Sequence, residues 1–310
     1  MVTFSLQADV ADVESWTGLA RRCEDIGLDA LLVPDHPGVA ASPFVALAAA
    51  ASVTSVIGLG SYVSNAGIRE PIHLASDLAT LDVLSGGRAR FGLGAGHTPA
   101  EWEAIGRTRP APGDRVRRCV AVAEAVLALL EGEEVDVATP DLVARSARLD
   151  RPRPVQARIP LTIGGSNARL LRWAGAHADT VSLTGFGRTL GDGHDHAVRW
   201  RPHEMRAQLD SVTEGAAGRA APPSLEALVQ RFEITDDAGR AVAELARHLE
   251  MTEAEVLAAP FVLVGTEEEI VSAVKDHERR WGITRYVVRP NALDDLATIM
   301  PKTRAPRSAP

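Results

Sequence analysis

The sequence predicts an α/β fold, a (β/α)8 TIM barrel in which eight parallel strands alternate with helices. Eight short apolar segments recur along the 310 residues with helical patterns between them, and strand–helix alternation produces parallel sheets. No stretch rich in Gly, Ser or Pro divides the chain, and one barrel commonly takes about 250 residues. We therefore predict a single domain over residues 1–300, followed by a tail, 301–310, whose composition is typical of disorder.

The first four strand–helix units occupy residues 1–131. Strands are predicted where short apolar runs occur, and helices where apolar residues recur every third or fourth position. Ser42 and Pro43 suit an N-cap and a first helical position. The predicted strands are Val2–Gln7, Ala30–Pro34, Ile57–Val63 and Arg88–Gly94, and the predicted helices are Val13–Ile26, Ser42–Ser52, Pro71–Leu84 and Asp114–Glu131.

The second half contains two insertions. Residues 132–158 are acidic and then rich in Arg and Pro, which predicts an excursion after the fourth helix. Residues 185–202, rich in Gly, His and Asp, predict a long loop after the sixth strand. The predicted strands are Leu161–Gly164, Thr180–Thr184, Val229–Thr235 and Arg285–Arg289, and the predicted helices are Ser166–Ala174, Glu204–Glu214, Ala238–Leu249, Thr252–Ala258 and Glu267–Trp281. We interpret Phe261–Gly265 as a lead-in to the last of these helices, capped by Thr266.

The composition excludes several classes of protein. The formal net charge of −8 argues against a nucleic-acid binder. The longest apolar stretch, Phe44–Ala51, is far shorter than the ~20 residues of a membrane helix, and no signal peptide is evident. Cys23 and Cys119 lie in helical patterns without a CxxC neighbour, so we expect small buried side chains in a reducing compartment, the cytoplasm.

Chemistry in TIM barrels is carried by residues at the C-terminal ends of the strands. Applied here, this rule selects the residues at five strand ends: Asp35 and His36 at the second, Tyr62, Val63, Ser64 and Asn65 at the third, Gly94, Ala95, Gly96 and His97 at the fourth, Gly164, Gly165 and Ser166 at the fifth, and Thr184 at the sixth.

Asp35 and His36 form a titratable pair. A histidine beside a carboxylate suits proton transfer. The alternative is that Asp35 caps a turn while His36 is a polar residue on the rim. Glu101 and Trp102 follow close behind the fourth strand, where they either face the pocket or begin a short helix that packs on the rim.

Two glycine-containing strand ends suggest ligand contacts. The Gly92–Gly96 segment does not have the GxGxxG spacing of a dinucleotide site. Its glycines either let a flat ring or a phosphate approach the backbone or form a tight turn. Gly164, Gly165 and Ser166 open a helix and form either a phosphate cradle or a plain turn with Ser166 as N-cap.

The positions of the histidines and lysines bear on two further kinds of site, a metal site and a Schiff-base lysine. His194, His196 and His203 resemble a zinc set, but a solvated or substrate-facing loop fits their surroundings better, so we predict no metal. Lysine occurs only at Lys275 and Lys302, in a predicted helix and in the tail. The sequence therefore excludes an aldolase that uses a Schiff-base lysine at a strand end.

The chain resembles the bacterial luciferase-like monooxygenase superfamily, and within it the branch of coenzyme F420-dependent oxidoreductases. The segments that carry the resemblance are ARRCEDIGLDALLVPDH (20–36), LGSYVSNAGIREPIHLASDLATLDVLSGGRARFGLGAGH (59–97), PLTIGGSNARLLRWAGAHADTVSL (160–183) and PFVLVGTEEEI (260–270). The resemblance implies a luciferase-like TIM barrel that binds a flavin-like ring in its mouth, and it implies a homodimer.

The resemblance also implies roles for the strand ends. A non-prolyl cis peptide would fall on Tyr62-Val63 and lie behind the ring. The cofactor contacts would come from Tyr62, Val63, Ser64, Asn65, Gly94, Ala95, Gly96, Gly164, Gly165, Ser166 and Thr184. Asp35 and His36 would lie near the reactive ring carbon, with His36 as our first choice for proton transfer and Asp35 orienting it. The proton donor stays open between His36, His97 and Glu101.

The expected activity is hydride transfer between F420 and a small organic substrate, as reduction of a C=C or C=N bond or oxidation of an alcohol. One alternative is an FMN-dependent monooxygenase on the same fold. A second is a flavin-binding barrel without catalytic activity.

Overall fold

A computed structural model of the protein describes residues 1–189 and 196–304. The strands are β1 (Thr3–Gln7), β2 (Ala30–Val33), β3 (Gly58–Ser61), β4 (Ser64–Asn65), β5 (Ala89–Gly94), β6 (Val135–Thr139), β7 (Leu142–Ala147), β8 (Leu161–Gly164), β9 (Thr180–Leu183), β10 (Phe186–Thr189), β11 (His196–Val198), β12 (Ser224–Leu228), β13 (Arg231–Ile234), β14 (Val262–Gly265) and β15 (Ile283–Val288). The helices are α1 (Val13–Asp25), α2 (Pro43–Ala51), α3 (Pro71–Ser85), α4 (Pro99–Ala104), α5 (Pro112–Glu131), α6 (Ala168–His177), α7 (Pro202–Ala216), α8 (Ala238–His248), α9 (Glu253–Leu257), α10 (Glu267–Trp281) and α11 (Leu293–Arg304), with a 3-10 turn at Pro290–Ala292.

Eight parallel strands close into a barrel, which confirms the predicted fold class. The order around the barrel is β1, β2, β3, β5, β8, β9, β12 and β15, and it closes because β15 pairs with β1. The short strand β4 continues the line of β3 and pairs with β5. The C-terminal strand ends therefore converge on one mouth, as the barrel rule requires.

The predicted seventh strand was wrong. The barrel strand at this position is β12, and residues 231–234 instead form β13, which pairs with β14 in a separate two-stranded parallel sheet. Phe261–Gly265, interpreted as a lead-in to a helix, contains β14. The reason lies in Glu226, a charged residue in the middle of β12 that interrupts the apolar pattern. This side chain points into the barrel, where its Oε2 lies 3.7 Å from Arg285 Nε on the neighbouring strand β15.

Glu226 lies against a small polar cavity inside the barrel. The cavity has a volume of about 30 Å³ and reaches from Asp29 to Tyr62. Glu226 is only 4% exposed, and its Oε1 has no hydrogen-bond partner. Burial raises the pKa of the Glu226 carboxyl, and the nearby Arg285 guanidinium opposes this effect.

The two insertions differ in detail from the predictions. The excursion at 132–158 contains the antiparallel pair β6 and β7. The predicted loop at 185–202 contains β10 and β11, which pair antiparallel. Residues 190–195, which include His194, lie outside the described residues.

The C-terminal segment and the start of one helix also differ from the sequence prediction. The first four residues of the predicted tail belong to α11, while 305–310 lie outside the described residues. Helix α6, predicted to start at Ser166, begins at Ala168 because the Asn167 side chain, not that of Ser166, accepts the hydrogen bonds of the first backbone amides.

The core lies between the strands and the surrounding helices and consists mainly of Ala, Val, Leu and Ile. Cys23 and Cys119 are both fully buried there, as predicted, and burial raises the pKa of each thiol to about 12. Capping fixes several helix ends; α10, for example, begins at a capping box formed by Thr266 and Glu269. Among the described helices, none is long and apolar enough to cross a bilayer.

Candidate active site at the mouth of the barrel

Three elements bring together a hydrogen-bonded chain of His36, Glu101 and Asn65. His36 follows β2, Asn65 ends β4, and Glu101 lies on α4, the short helix that starts at Pro99. Glu101 Oε1 lies 2.5 Å from His36 Nδ1, and Asn65 Nδ2 donates to Glu101 Oε2 at 2.5 Å. Both oxygens of a carboxylate that is only 4% exposed are thus engaged, which fixes the Glu101 side chain.

Glu101 tunes the protonation of His36. The pKa of His36 is raised chiefly by its hydrogen bond to Glu101, while burial opposes this effect. The negative charges of Glu101 and Asp35 raise the pKa further, and the positive charge of Arg289 lowers it. The imidazole side chain is 37% exposed. The His36 imidazole is therefore partly open to the mouth, and its charged form is stabilised.

Asp35 does not orient His36 through a hydrogen bond, contrary to the role we predicted. Its Oδ1 accepts from Arg69 Nη2 at 2.7 Å, and its Oδ2 accepts from Arg69 Nε at 3.0 Å and from the Asn65 amide at 2.9 Å. Asp35 is 2% exposed, so it is a buried anchor that ties the end of β2 to β4 and acts on His36 only through its charge. The carboxylate that hydrogen-bonds to His36 is that of Glu101.

His97 joins the same cluster. Its ring lies edge-on to that of His36, with centroids 5.5 Å apart. The structure therefore brings together all three predicted catalytic residues, Asp35, His36 and His97, and adds Glu101 to them. Their roles in catalysis remain predictions.

The segment after β3 contains the cis peptide bond Tyr62-Val63 that the family resemblance implied. The Tyr62 hydroxyl bonds to Ser182 Oγ, and the Tyr62 carbonyl accepts from Gln7 Nε2 at 2.6 Å. The Ser64 hydroxyl lies 2.7 Å from that of Ser61. The side chains of Tyr62 and Ser64 are thus engaged inside the barrel.

The glycines at the mouth accommodate this same segment. A Cβ on Gly94 would lie 2.6 Å from Val63 Cγ2, and one on Gly164 would lie 3.2 Å from Val63 Cγ1. A Cβ on Gly96 would overlap the Asn65 side chain, and Gly96 also has a φ of 71° that favours glycine. Close packing of the protein on itself therefore leaves no free space for a Cβ at Gly94 or Gly96 and little at Gly164. Sequence alone did not distinguish this packing from the approach of a ligand.

Two arginines reach the loops after β5 and β8. Arg115, on α5, donates to the carbonyl of Gly96, and Arg199 Nη1 donates to the carbonyl of Ser166 at 3.2 Å. The loops are neighbours because Gly94 pairs with Gly164. Arg115 Nε is buried without a hydrogen bond, and burial, with the charge of Arg109, lowers the pKa of Arg115 to about 10. This edge of the mouth can therefore attract an anion.

Thr184 directly follows β9, the next strand of the barrel. Its hydroxyl accepts from the Phe186 amide at 3.3 Å, and its carbonyl accepts from Gln230 Nε2 at 3.0 Å. Ala95 and Gly165 lie in the loops that Arg115 and Arg199 reach. Among residues 1–189 and 196–304, no group of three His, Cys, Asp or Glu side chains is placed to hold a metal.

Sequence reasoning missed Gln7 and Arg289. Arg289 Nη1 donates to Gln7 Oε1 at 3.0 Å, and Gln7 in turn binds the Tyr62 carbonyl. The strand-end rule contained the signal for both residues, because each is the last residue of a predicted strand. Glu101 was considered, but its contact with His36 crosses 65 residues and has no local signature.

Comparison with known proteins identifies the family. The sequence profile of the luciferase-like monooxygenase family matches residues 3–285 of this chain. The chain therefore belongs to the luciferase-like monooxygenase family.

Relatives within this family differ in activity. The chain is 26% identical to 5,10-methylenetetrahydromethanopterin reductase of Methanopyrus kandleri over 273 residues, which cover 82% of this chain and 69% of that protein. It is 27% identical to 4-hydroxyprotoasukamycin monooxygenase of Streptomyces nodosus subsp. asukaensis over 300 residues, or 89% and 79% of the two chains. The chain spans about half the length of other curated relatives, uncharacterized mycobacterial proteins among them.

A solved structure supports the fold. The coenzyme F420-dependent tetrahydromethanopterin reductase from Methanopyrus kandleri superimposes with a TM-score of 0.76 at 21% identity, over 98% of this chain and 99% of that chain. The relatives thus include reductases and monooxygenases.

Proposed function

We propose that the protein is an F420-dependent oxidoreductase that transfers a hydride between the deazaflavin and a small organic substrate. The reaction is reduction of a C=C or C=N bond, or oxidation of an alcohol. The observation that carries this proposal is the His36–Glu101 pair, because each of these reactions moves a proton along with the hydride. The F420 dependence of the similar Methanopyrus reductase supports the choice of cofactor.

His36 is the proposed proton carrier. When bound, the deazaflavin supplies a ring carbon that gives or takes the hydride. Glu101 occupies Nδ1 of His36, so the proton exchanged with substrate is the one on Nε2. In reduction, charged His36 gives this proton to the substrate atom that does not receive the hydride. In alcohol oxidation, neutral His36 takes the hydroxyl proton, and Glu101 stabilises the resulting imidazolium.

The phosphate end of the cofactor fits the edge of the mouth at β5 and β8. The unpaired buried Nε of Arg115 and the guanidinium of Arg199 face two adjacent loops, and such donors suit a phosphate. Gly164, Gly165 and Ser166 would supply backbone amides. Ala95 and Gly96 would line one side of the ring, the Tyr62–Asn65 segment would lie behind it, and Thr184 would lie at the rim.

Two alternatives remain testable. An FMN-dependent monooxygenase would use the same pocket, and the similarity to the Streptomyces monooxygenase favours it. A flavin-binding barrel without catalytic activity has less support, because keeping Glu101 buried and charged beside His36 is costly without a use for it.

Titration of the purified chain with F420 and with FMN, each followed by fluorescence, tests the proposal. We expect micromolar binding of F420 and binding of FMN at least tenfold weaker. Micromolar binding of FMN alone would favour the monooxygenase. Absence of binding by either cofactor would remove both enzymes from consideration.

We also propose that the protein works as a cytoplasmic homodimer. Helices α2 and α3 pack against each other and expose Val45, Val83 and Leu84. Exposed apolar side chains of this kind suit coverage by a second copy. Light scattering coupled to gel filtration should give twice the mass of 32.9 kDa; a mass of one chain at micromolar concentration would refute the dimer.

A further inference from the structure

A second cavity opens beside the candidate active site. It has a volume of about 240 Å³ and lies between the residues that follow β12, 229–233, and those that follow β15, Arg289 and Asn291. Both loops lie at the C-terminal ends of neighbouring barrel strands. The cavity therefore opens at the mouth and has room for part of a small molecule.

The charges that line this cavity do not cancel. Arg231 and Glu233 form an ion pair at 2.6 Å and neutralise each other. Arg289 instead donates to the neutral Gln7 side chain at 3.0 Å, and in the part of the chain that the structure describes it forms no ion pair. Burial lowers the pKa of Arg289, which means that its charge is incompletely solvated. The cavity thus presents one uncompensated cation.

Arg289 is also close to the proposed chemistry. It stands at the end of β15, next to β1 and, beyond it, β2. Gln7 connects it to the Tyr62 carbonyl, and its positive charge reaches His36. A group bound at Arg289 therefore lies within electrostatic range of the proton carrier.

We propose that this cavity binds an anionic group of the substrate, a carboxylate or a phosphate, with Arg289 as the anchor. This inference rests on the proposed function, since it defines the substrate class as small organic anions. Guanidinium groups bind both kinds of anion through paired N–H donors.

Occupancy of this site has a consequence for His36. The groups that act on His36 are Glu101 from α4, Asp35 from its own loop, the neighbouring ring of His97 and Arg289. An anion at Arg289 cancels the one positive charge among them. Binding of the anion should then raise the pKa of His36 and increase the fraction that carries the proton to be donated.

The test follows the His36 ring resonances by NMR in the full chain without cofactor, with histidine labelled. Inorganic phosphate and succinate are the two probes, with ionic strength held constant by sodium chloride. The His36 signals are assigned with a His36→Gln variant. In the wild type we expect at least one probe to raise the pKa of His36, and the stronger probe identifies the phosphate or carboxylate source.

Three variants locate the effect. Arg289→Gln should raise the pKa of His36 without any anion and weaken probe binding at least tenfold. Arg231→Gln, in the same cavity but already paired, should change probe binding less than twofold. Arg115→Gln should retain the His36 response, which separates this cavity from the proposed cofactor-phosphate site.

Several outcomes would overturn the inference. These are an unchanged His36 resonance in the wild type, a full response in Arg289→Gln, or equal losses in Arg231→Gln and Arg289→Gln. A tenfold loss of F420 affinity in Arg289→Gln would assign the arginine to the cofactor instead. Because the NMR arms use no cofactor, failure of the proposed function would leave them interpretable.

Discussion

Glu101 Oε1 lies 2.5 Å from Nδ1 of His36, although the two residues belong to segments that follow different barrel strands. Glu101 is nearly buried, whereas a third of the His36 side chain is open to the mouth. The carboxylate therefore sets the proton affinity of a ring that a substrate can reach. This contact connects the fold to the proposed chemistry.

Glu101→Gln should lower the pKa of His36, because the hydrogen bond that raises it most is weakened and burial then prevails. NMR titration of the His36 ring checks this shift. A raised pKa stabilises the fold below the ordinary His pKa, and this stabilisation is lost as pH rises through the folded-state value. The wild type's stability advantage over the variant should therefore be larger at low pH than at pH 8. Turnover with F420 should fall about 100-fold.

Glu103→Gln is the matched control on the same helix, since Glu103 is exposed. It should leave both the His36 titration and turnover unchanged. An unaltered His36 titration in Glu101→Gln would contradict the proposed part of Glu101.

Arg115→Gln should weaken F420 binding by about 10- to 100-fold, the loss expected when a charge-assisted hydrogen bond to phosphate is removed. Fluorescence titration measures the change. Arg117→Gln, two residues along the same helix and paired with Asp114 and Asp141, should bind normally. Equal affinities of Arg115→Gln and the wild type would remove Arg115 from the cofactor site.

Gly92→Ala should destabilise the barrel by about 1–3 kcal/mol, because the new Cβ would overlap the Ser61 carbonyl. Gly18→Ala provides the contrast, since open space surrounds Gly18 in α1; it should gain about 0.5–1 kcal/mol. Urea unfolding of both variants gives the free energies. An unchanged midpoint for Gly92→Ala would refute the packing argument.

Glu226→Gln should become more stable relative to the wild type as pH rises from 5 to 8. The raised pKa of Glu226 means that its contribution is complete below the unfolded-state value and is lost as pH rises through the folded-state value. Glutamine carries no such cost. Thermal unfolding across this pH range measures the difference, with exposed Glu244→Gln as control. A difference independent of pH would show that Glu226 titrates normally.

Sequence periodicity was sufficient for the barrel and for most strands, because their apolar runs are short and regularly spaced. It failed at β12, where Glu226 points into a polar barrel interior and resembles a surface residue by type. The strand-end rule located His36, Asn65 and Gly96, whose positions depend on chain order alone. It did not reveal that Asp35 pairs with Arg69, or that Glu101 pairs with His36. Those partners lie 34 and 65 residues apart, and only tertiary packing selects them.

Helix α4, which carries Glu101, is a six-residue segment between β5 and α5. Helix α4 is not one of the barrel strands, and it places the Glu101 carboxylate at the mouth. The carboxylate that pairs with His36 therefore comes from a helix outside the barrel strands. Exchange of residues 98–108 between members of the family, with the buried Trp102 that packs on Gly67 retained, would change the partner of His36 without replacing any barrel strand.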